Sequence, residues 1–356
     1  MLKKAALLLT FAVLVPTAAE RFAAQTTGAK GAVRTPLWSP DGKRAAFVYE
    51  AEGNLEAYVV TVGDNRGRNL SRTPGVERDL AWSPDGKTLL FASERQGNLD
   101  ICAVNVETEE EKCLTRGVAD EFWPVWRPDG AEIAYCSYEN GRGSVYIIGA
   151  GGGDARRFYG PESCYPTWAP NGKKIALAYN GDIVVVDVES GREKNITVPL
   201  ISGEWVEDTL PFWSPRKDRI AFVGRYESFL TEIYTLSGGG KKLARISDNV
   251  HEEFRPQWSP DGKWLTYAAY LPGRTTTEIF ASRQDGTERV RLTDNYVFDT
   301  SPSYSPDGGK VLFVRRERGR DALYVMNADG TDQKPFFPEG FIPEGAAQSG
   351  KERGKR

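Results

Sequence analysis

One short motif recurs seven times and constrains this chain more than any other feature. It reads Trp-Ser-Pro-Asp-Gly-Lys at Trp38, Trp82 and Trp258, and in altered form at Trp126, Trp168, Trp213 and Tyr304. The steps between these aromatics are 44, 44, 42, 45, 45 and 46 residues. A period of this length, filled with short strands and turn residues, marks the blades of a β-propeller. The expected fold is all-β: a propeller of seven blades, each of four antiparallel strands.

The second repeat shows the pattern within a blade. Leu80 to Ser83 reads as strand A, Thr88 to Ala92 as B, Asp100 to Asn105 as C and Lys112 to Thr115 as D. The β-branched and aromatic enrichment of B and C supports strands. Pro84-Asp85-Gly86 supplies a tight turn between A and B. A proline stands two residues before the motif aromatic in every repeat but the second, which has Leu80. Proline lacks an N–H and suits an edge strand, so strand A is expected innermost, beside the central channel. Residues 33–338 are assigned to the ring and 339–356 to a disordered tail rich in Gly, Glu, Lys and Arg. Two closures are open: a seventh blade complete from Ser303 to Phe337, or an outer strand lent to it by Arg21 to Thr27.

Residues 1–19 read as a signal peptide. Lys3 and Lys4 precede an apolar run from Ala5 to Val15, with small residues Ala18 and Ala19 before the expected mature start at Glu20. An uncleaved anchor is the alternative, on an apolar run short for a bilayer. Residues 20–32 form an N-terminal segment, and no later stretch is apolar enough to span a membrane. Loss of the two leader lysines takes the net charge from -3 to about -5, which disfavours nucleic acid as a partner. A monomer in the periplasm or outside the cell is expected. There Cys102, Cys113, Cys136 and Cys164 can pair in three ways. Strand proximity favours Cys102 with Cys113; the alternative is four small buried apolar side chains.

The repeat resembles the WD40-like repeat of TolB-type propellers. The residues carrying the resemblance are Pro-x-Trp-Ser-Pro-Asp-Gly-Lys, an Ile-Ala-Phe-like strand, the strand and turn Leu323-Tyr324-Val325-Met326-Asn327-Ala328-Asp329-Gly330, and an Arg-Leu-Thr ending. The resemblance implies a periplasmic protein of the cell envelope, whose propeller holds a partner protein as TolB holds the peptidoglycan-associated lipoprotein. It also implies six blades and a preceding α/β domain. This chain counts seven motifs, with about a dozen residues between leader and first blade.

Strand order puts the D-to-A and B-to-C connections on one face and the Pro-Asp-Gly turns on the other. Five residues before the motif aromatic stand Val33, Glu77, Glu121, Ser163, Asp208, Glu253 and Asp299. These carboxylates are expected at the channel mouth, receiving a basic partner segment or a cation such as Ca2+. The competing reading is that each caps backbone N–H groups and seats its blade. Trp123 and Phe254 join the expected binding set, beside Phe122, Tyr165, Trp205 and Phe298; each has the alternative of packing between blades. The basic run Arg315 to Arg320 reads as a solvated face.

Catalysis has little support. His251 is the single histidine, and Gly-x-Ser-x-Gly is absent. The expected function is a non-catalytic, cofactor-free scaffold binding an envelope protein or peptide at the channel mouth. The alternatives are a glycan-cleaving propeller using paired mouth carboxylates and a structural Ca2+-binding propeller.

Overall fold

The computed structural model describes residues 32–51, 53–95, 97–197, 208–225, 230–247, 253–337 and 340–344. The expected leader, Arg21 to Thr27, Trp205 and His251 lie outside these. Seven antiparallel sheets follow one another along the chain, over residues 33–69, 77–113, 120–159, 163–195, 208–245, 253–291 and 298–335. Within each the order is A-B-C-D, and strand A pairs with B alone. The seven inner strands are Val33–Trp38, Glu77–Trp82, Asp120–Trp126, Ser163–Trp168, Asp208–Trp213, Glu253–Trp258 and Phe298–Tyr304. Their prolines sit where no ladder hydrogen bond is lost.

The hydrophobic core is seven slabs, one between each pair of neighbouring blades. Successive residues of a B strand face opposite blades. Ala46 and Val48 of blade 1 pack with Phe91 and Val104 of blade 2, while Ala45 and Phe47 pack with Leu312 and Val314 of blade 7. Most seams set small against large: Ala92 faces Tyr135, Ala176 faces Phe222, and Ala268 faces Phe313. Both faces of strands B and C are thus buried, which explains their continuous apolar runs. The B-strand aromatic also stacks on its cross-strand neighbour in C, as in Phe47–Tyr58, Phe222–Tyr234 and Tyr267–Phe280. In blade 2 that neighbour is Cys102, which forms a disulfide with Cys113 of strand D. A second disulfide, Cys136–Cys164, joins strand B of blade 3 to strand A of blade 4.

The repeated motif cements blade to blade. Ser39 Oγ donates to Asp41 Oδ1 and accepts from the Arg44 N–H, while Asp41 Oδ1 accepts from the Lys43 N–H. The same bonds recur at Ser83, Ser259 and Ser305. Gly42 takes a φ of 70°, which its lack of Cβ permits. The indole N–H groups of Trp126, Trp168 and Trp258 donate to carbonyls of the preceding inner strand, at Ala81, Val125 and Phe212. The proline of one motif lies against the glycine of the next: Pro40 by Gly86, Pro84 by Gly130, Pro260 by Gly308 and, across the seam, Pro306 by Gly42.

A further lock ties strand C to strand D. The hydroxyl of Thr293 accepts the Ile279 N–H and donates to Glu278, which also takes Arg291. Thr197, Asp182 and Asn195 repeat the arrangement in blade 4, and Ser71, Thr115 and Ser247 accept the corresponding N–H in blades 1, 2 and 5.

Blade 7 is completed by its own outer strand, Lys334–Pro335, the first of the two expected closures. The chain then crosses the seam. Ile342–Pro343 pairs in parallel with Arg66 and Gly67 on the outer edge of blade 1. The tail expected to be structureless from residue 339 therefore contributes a strand. Phe341 explains why: it fills a pocket of Phe47, Tyr49, Tyr58 and Phe337. Gly67 makes room, since a Cβ there would meet the Phe341 ring. Glu344 then accepts from the Asn69 N–H and from Arg72.

Candidate binding site at the channel mouth

Every inner strand is bulged at the same place. The ladder to strand B shifts between Arg34 and Leu37 in blade 1, and at the equivalent step in the other six. The residue three before the motif aromatic takes left-handed backbone in all seven. These are Thr35, Asp79, Trp123, Tyr165, Leu210, Arg255 and Ser301, with φ between 45° and 57°. Proline follows in six of the seven. It disfavours right-handed helical backbone in the residue before it and has no N–H to lose. Blade 2 keeps the bulge with Leu80 in place of proline.

Residues of this ring meet one another at the centre. Trp123 and Tyr165 overlap with ring centroids 3.9 Å apart, and Phe122 abuts Trp123 edge-on. Asp79 Oδ2 accepts the Trp123 N–H at 3.3 Å and lies 3.2 Å from Arg78 Nε. Arg255, from blade 6, reaches across toward Asp79 of blade 2 and Arg34 of blade 1; desolvation holds its guanidinium below the ordinary arginine value, against the pull of Asp79. Thr35, Asp79, Arg255 and Ser301 line one cavity of about 170 Å3, with Arg34, Arg78 and Arg316 in its wall. Arg316 makes a two-pronged pair with Asp321, at 2.6 and 3.0 Å. The ring is thus two-sided, aromatic and apolar at blades 3 to 5, polar and charged at blades 6, 7, 1 and 2.

The carboxylates expected here do not form a ring of exposed charges. Glu77, Glu253 and Asp299 are wholly buried and Glu121 nearly so. Of these four, Glu77 alone lines the channel cavity. Glu77 accepts from Ser93 and Thr73, and burial pushes its carboxyl up to about 7. Burial also pushes Glu121 up to about 7, against the hydroxyl of Thr115, which favours the charged form. Asp299 receives two hydrogen bonds from Arg315, both 2.7 Å, and one from Asn295. Glu253 lies 3.8 Å from Arg289. The backbone of Asp208 pairs with Gly224 in strand B, and its side chain lies outside the described residues. The bulge is the physical reason for the correction: it re-aims the strand between the two positions, so the residue three before the aromatic takes the channel. Of the expected aromatics, Trp123 is in the ring, whereas Phe254 is buried against Tyr270 between blades 6 and 7.

Sequence reasoning missed the arginines. The repeat offered little signal for them. The column three before the aromatic reads Thr, Asp, Trp, Tyr, Leu, Arg, Ser, and the columns one and four before the aromatic vary as widely.

The comparisons with known proteins agree on the fold and diverge in the activities they name. The family model described as TolB beta propeller domain matches residues 12–110, 81–205 and 207–341. The oligogalacturonate lyase of Vibrio parahaemolyticus superposes with a TM-score of 0.69 at 14% identity, over 84% of this chain and 92% of that one. A putative TolB from Agrobacterium tumefaciens gives 0.54 at 23% identity, over 75% and 95%. The uncharacterized peptidase YuxL of Bacillus subtilis (strain 168) is 27% identical over 116 residues, 30% of this chain. That match spans only 17% of the relative's length.

Proposed function

We propose, from the premise that this chain belongs to the TolB beta propeller domain family, that it is an exported, non-catalytic scaffold. It binds an extended segment of an envelope protein at the mouth of its channel, on the face of the D-to-A loops. The observation that carries this reading is the bulged ring. Seven strands present a side chain at one level, and the seven differ in chemistry. A ring built by repetition but not repeated in content suits an asymmetric ligand. Overlapping Trp123 and Tyr165 provide rigid aromatic area, and arginine stands opposite; these residue types dominate binding hot spots.

The test is comparative cross-linking and capture from envelope extract. Wild type retains a defined partner, and Trp123→Ala and Tyr165→Ala each weaken it by about tenfold or more, as loss of an aromatic anchor does. Unchanged capture by both variants at unchanged melting temperature would overturn the reading. Turnover of an envelope glycan by the wild-type protein would favour the carbohydrate-active alternative instead.

A further inference from the structure

Arg255 is the least satisfied charge in the channel. Its backbone is left-handed, with φ 57°, and its guanidinium is half-buried. Among the described residues it makes no hydrogen bond and no ion pair within 4 Å. The carboxylates near it already hold other donors. One oxygen of Asp79, Oδ2, is taken by Arg78 and the Trp123 N–H, and both oxygens of Asp321 by Arg316. Two hydroxyls on the same cavity share its condition. Thr300 is 5% exposed, and neither Thr300 Oγ1 nor Thr35 Oγ1 has a hydrogen-bond partner. Buried polar groups left this way cost free energy, and they are uncommon unless a ligand or solvent meets them.

We infer that the cavity between blades 7, 1 and 2, closed from across the channel by Arg255, is a socket for a single carboxylate. An anion supplies acceptors to Arg255 and to both hydroxyls together. A cation would meet Arg255 and three further guanidiniums in the wall. A neutral apolar group would leave every one of these donors unmet. Arginine and carboxylate form strong charge-assisted hydrogen bonds, more so where water is scarce. The remaining wall carboxyl, Glu77, has one oxygen engaged by Ser93 and Thr73. At about 170 Å3 the space has room for a carboxylate together with the side chain or terminal residue that bears it, while the rest of the ligand lies along the ring. This inference rests on the binding-scaffold reading and names the group that the scaffold grips.

The experiment uses the full chain and three small probes: N-acetylphenylalanine, its amide, and the α-amide of N-acetylglutamic acid. Binding is followed by Trp fluorescence and by melting temperature at constant ionic strength. N-acetylphenylalanine binds at least about tenfold more tightly than its amide, the loss expected when a charged hydrogen bond is removed. Equal binding by the glutamic acid α-amide identifies a side-chain carboxylate as the source; its failure identifies a chain end. Arg255→Gln abolishes the preference for acid over amide, whereas Arg216→Gln on the opposite face keeps it. Arg255→Lys, which retains charge with fewer donors, falls between. Equal binding of acid and amide to wild type, no binding of either acid, or a preference intact in Arg255→Gln overturns the socket. Partner capture unaffected by Arg255→Gln but lost in Trp123→Ala would sink the socket while leaving the scaffold reading standing.

Discussion

Glu77 and Glu121 couple folding to pH in an unusual direction. Each carboxyl stands near 4.5 when solvated and is raised by burial to about 7 in the fold. Below 4.5 both are protonated in either state and cost nothing. As pH rises toward 7 the unfolded chain ionises first, so the folded state loses up to about 3 kcal/mol for each group, and the loss is complete above 7. Melting temperature should therefore fall between pH 4.5 and 7.5 where these groups dominate. Glu77→Gln and Glu121→Gln should each flatten that slope and raise the melting temperature at pH 8. A slope unchanged by both substitutions would show that neither carboxyl is neutral in the fold. The repeat made these positions visible in the sequence, but not their surroundings. Spacing places a residue along a strand, whereas a one-residue bulge decides which side of the strand it serves. Arg255 escaped notice for the same reason: its column carries meaning only once the left-handed backbone is seen.

At the scale of the element, the outer strands are the weak members. Strand D of blade 6 is Arg289–Arg291, and its attachment depends on the Thr293 hydroxyl as well as on its ladder. Thr293→Val removes the acceptor of the Ile279 N–H and one donor to buried Glu278. It should cost about 1–3 kcal/mol. Hydrogen exchange should accelerate first at Ile279 and Leu292, before the inner strand of that blade responds. Uniform acceleration across the blade would mean that the lock is not local. Strands B and C were readable in advance because burial on both faces makes their apolar runs unmistakable. Strand D was readable from its Ser or Thr, although the partners of that hydroxyl were not. The short outer strands leave little hydrophobic signal, and the carboxylate that completes the lock stands at the start of strand C, 15 residues earlier.

Across the whole molecule, closure is the step that repetition cannot supply, because the first and last blades meet without a peptide link. The seam has its own core slab, the Pro306–Gly42 contact and the parallel strand Ile342–Pro343. Phe341→Ala should remove about 3–5 kcal/mol by emptying an aromatic pocket. Gly67→Ala should expel the ring from it. Each should lower the melting temperature and raise protease sensitivity at the blade 1 edge. Loss at a distant seam, such as between blades 4 and 5, with blade 1 still protected would contradict a clasp. The motif spacing announced seven blades plainly. The clasp was hidden because two paired residues and one phenylalanine do not stand out from a polar tail.

The bulged ring also separates what builds the frame from what faces the channel. Six of its seven slots are followed by proline, and the backbone that forms them is anchored by the motif's turn and by the inter-blade slabs rather than by the slot residue itself. A substitution in a slot therefore leaves most of the frame in place, yet neighbouring slots are coupled, because Trp123 overlaps Tyr165 and Asp79 accepts the Trp123 N–H. The architecture is a fixed frame with exchangeable type: the blades set where seven side chains stand, and the chain's own sequence sets their chemistry.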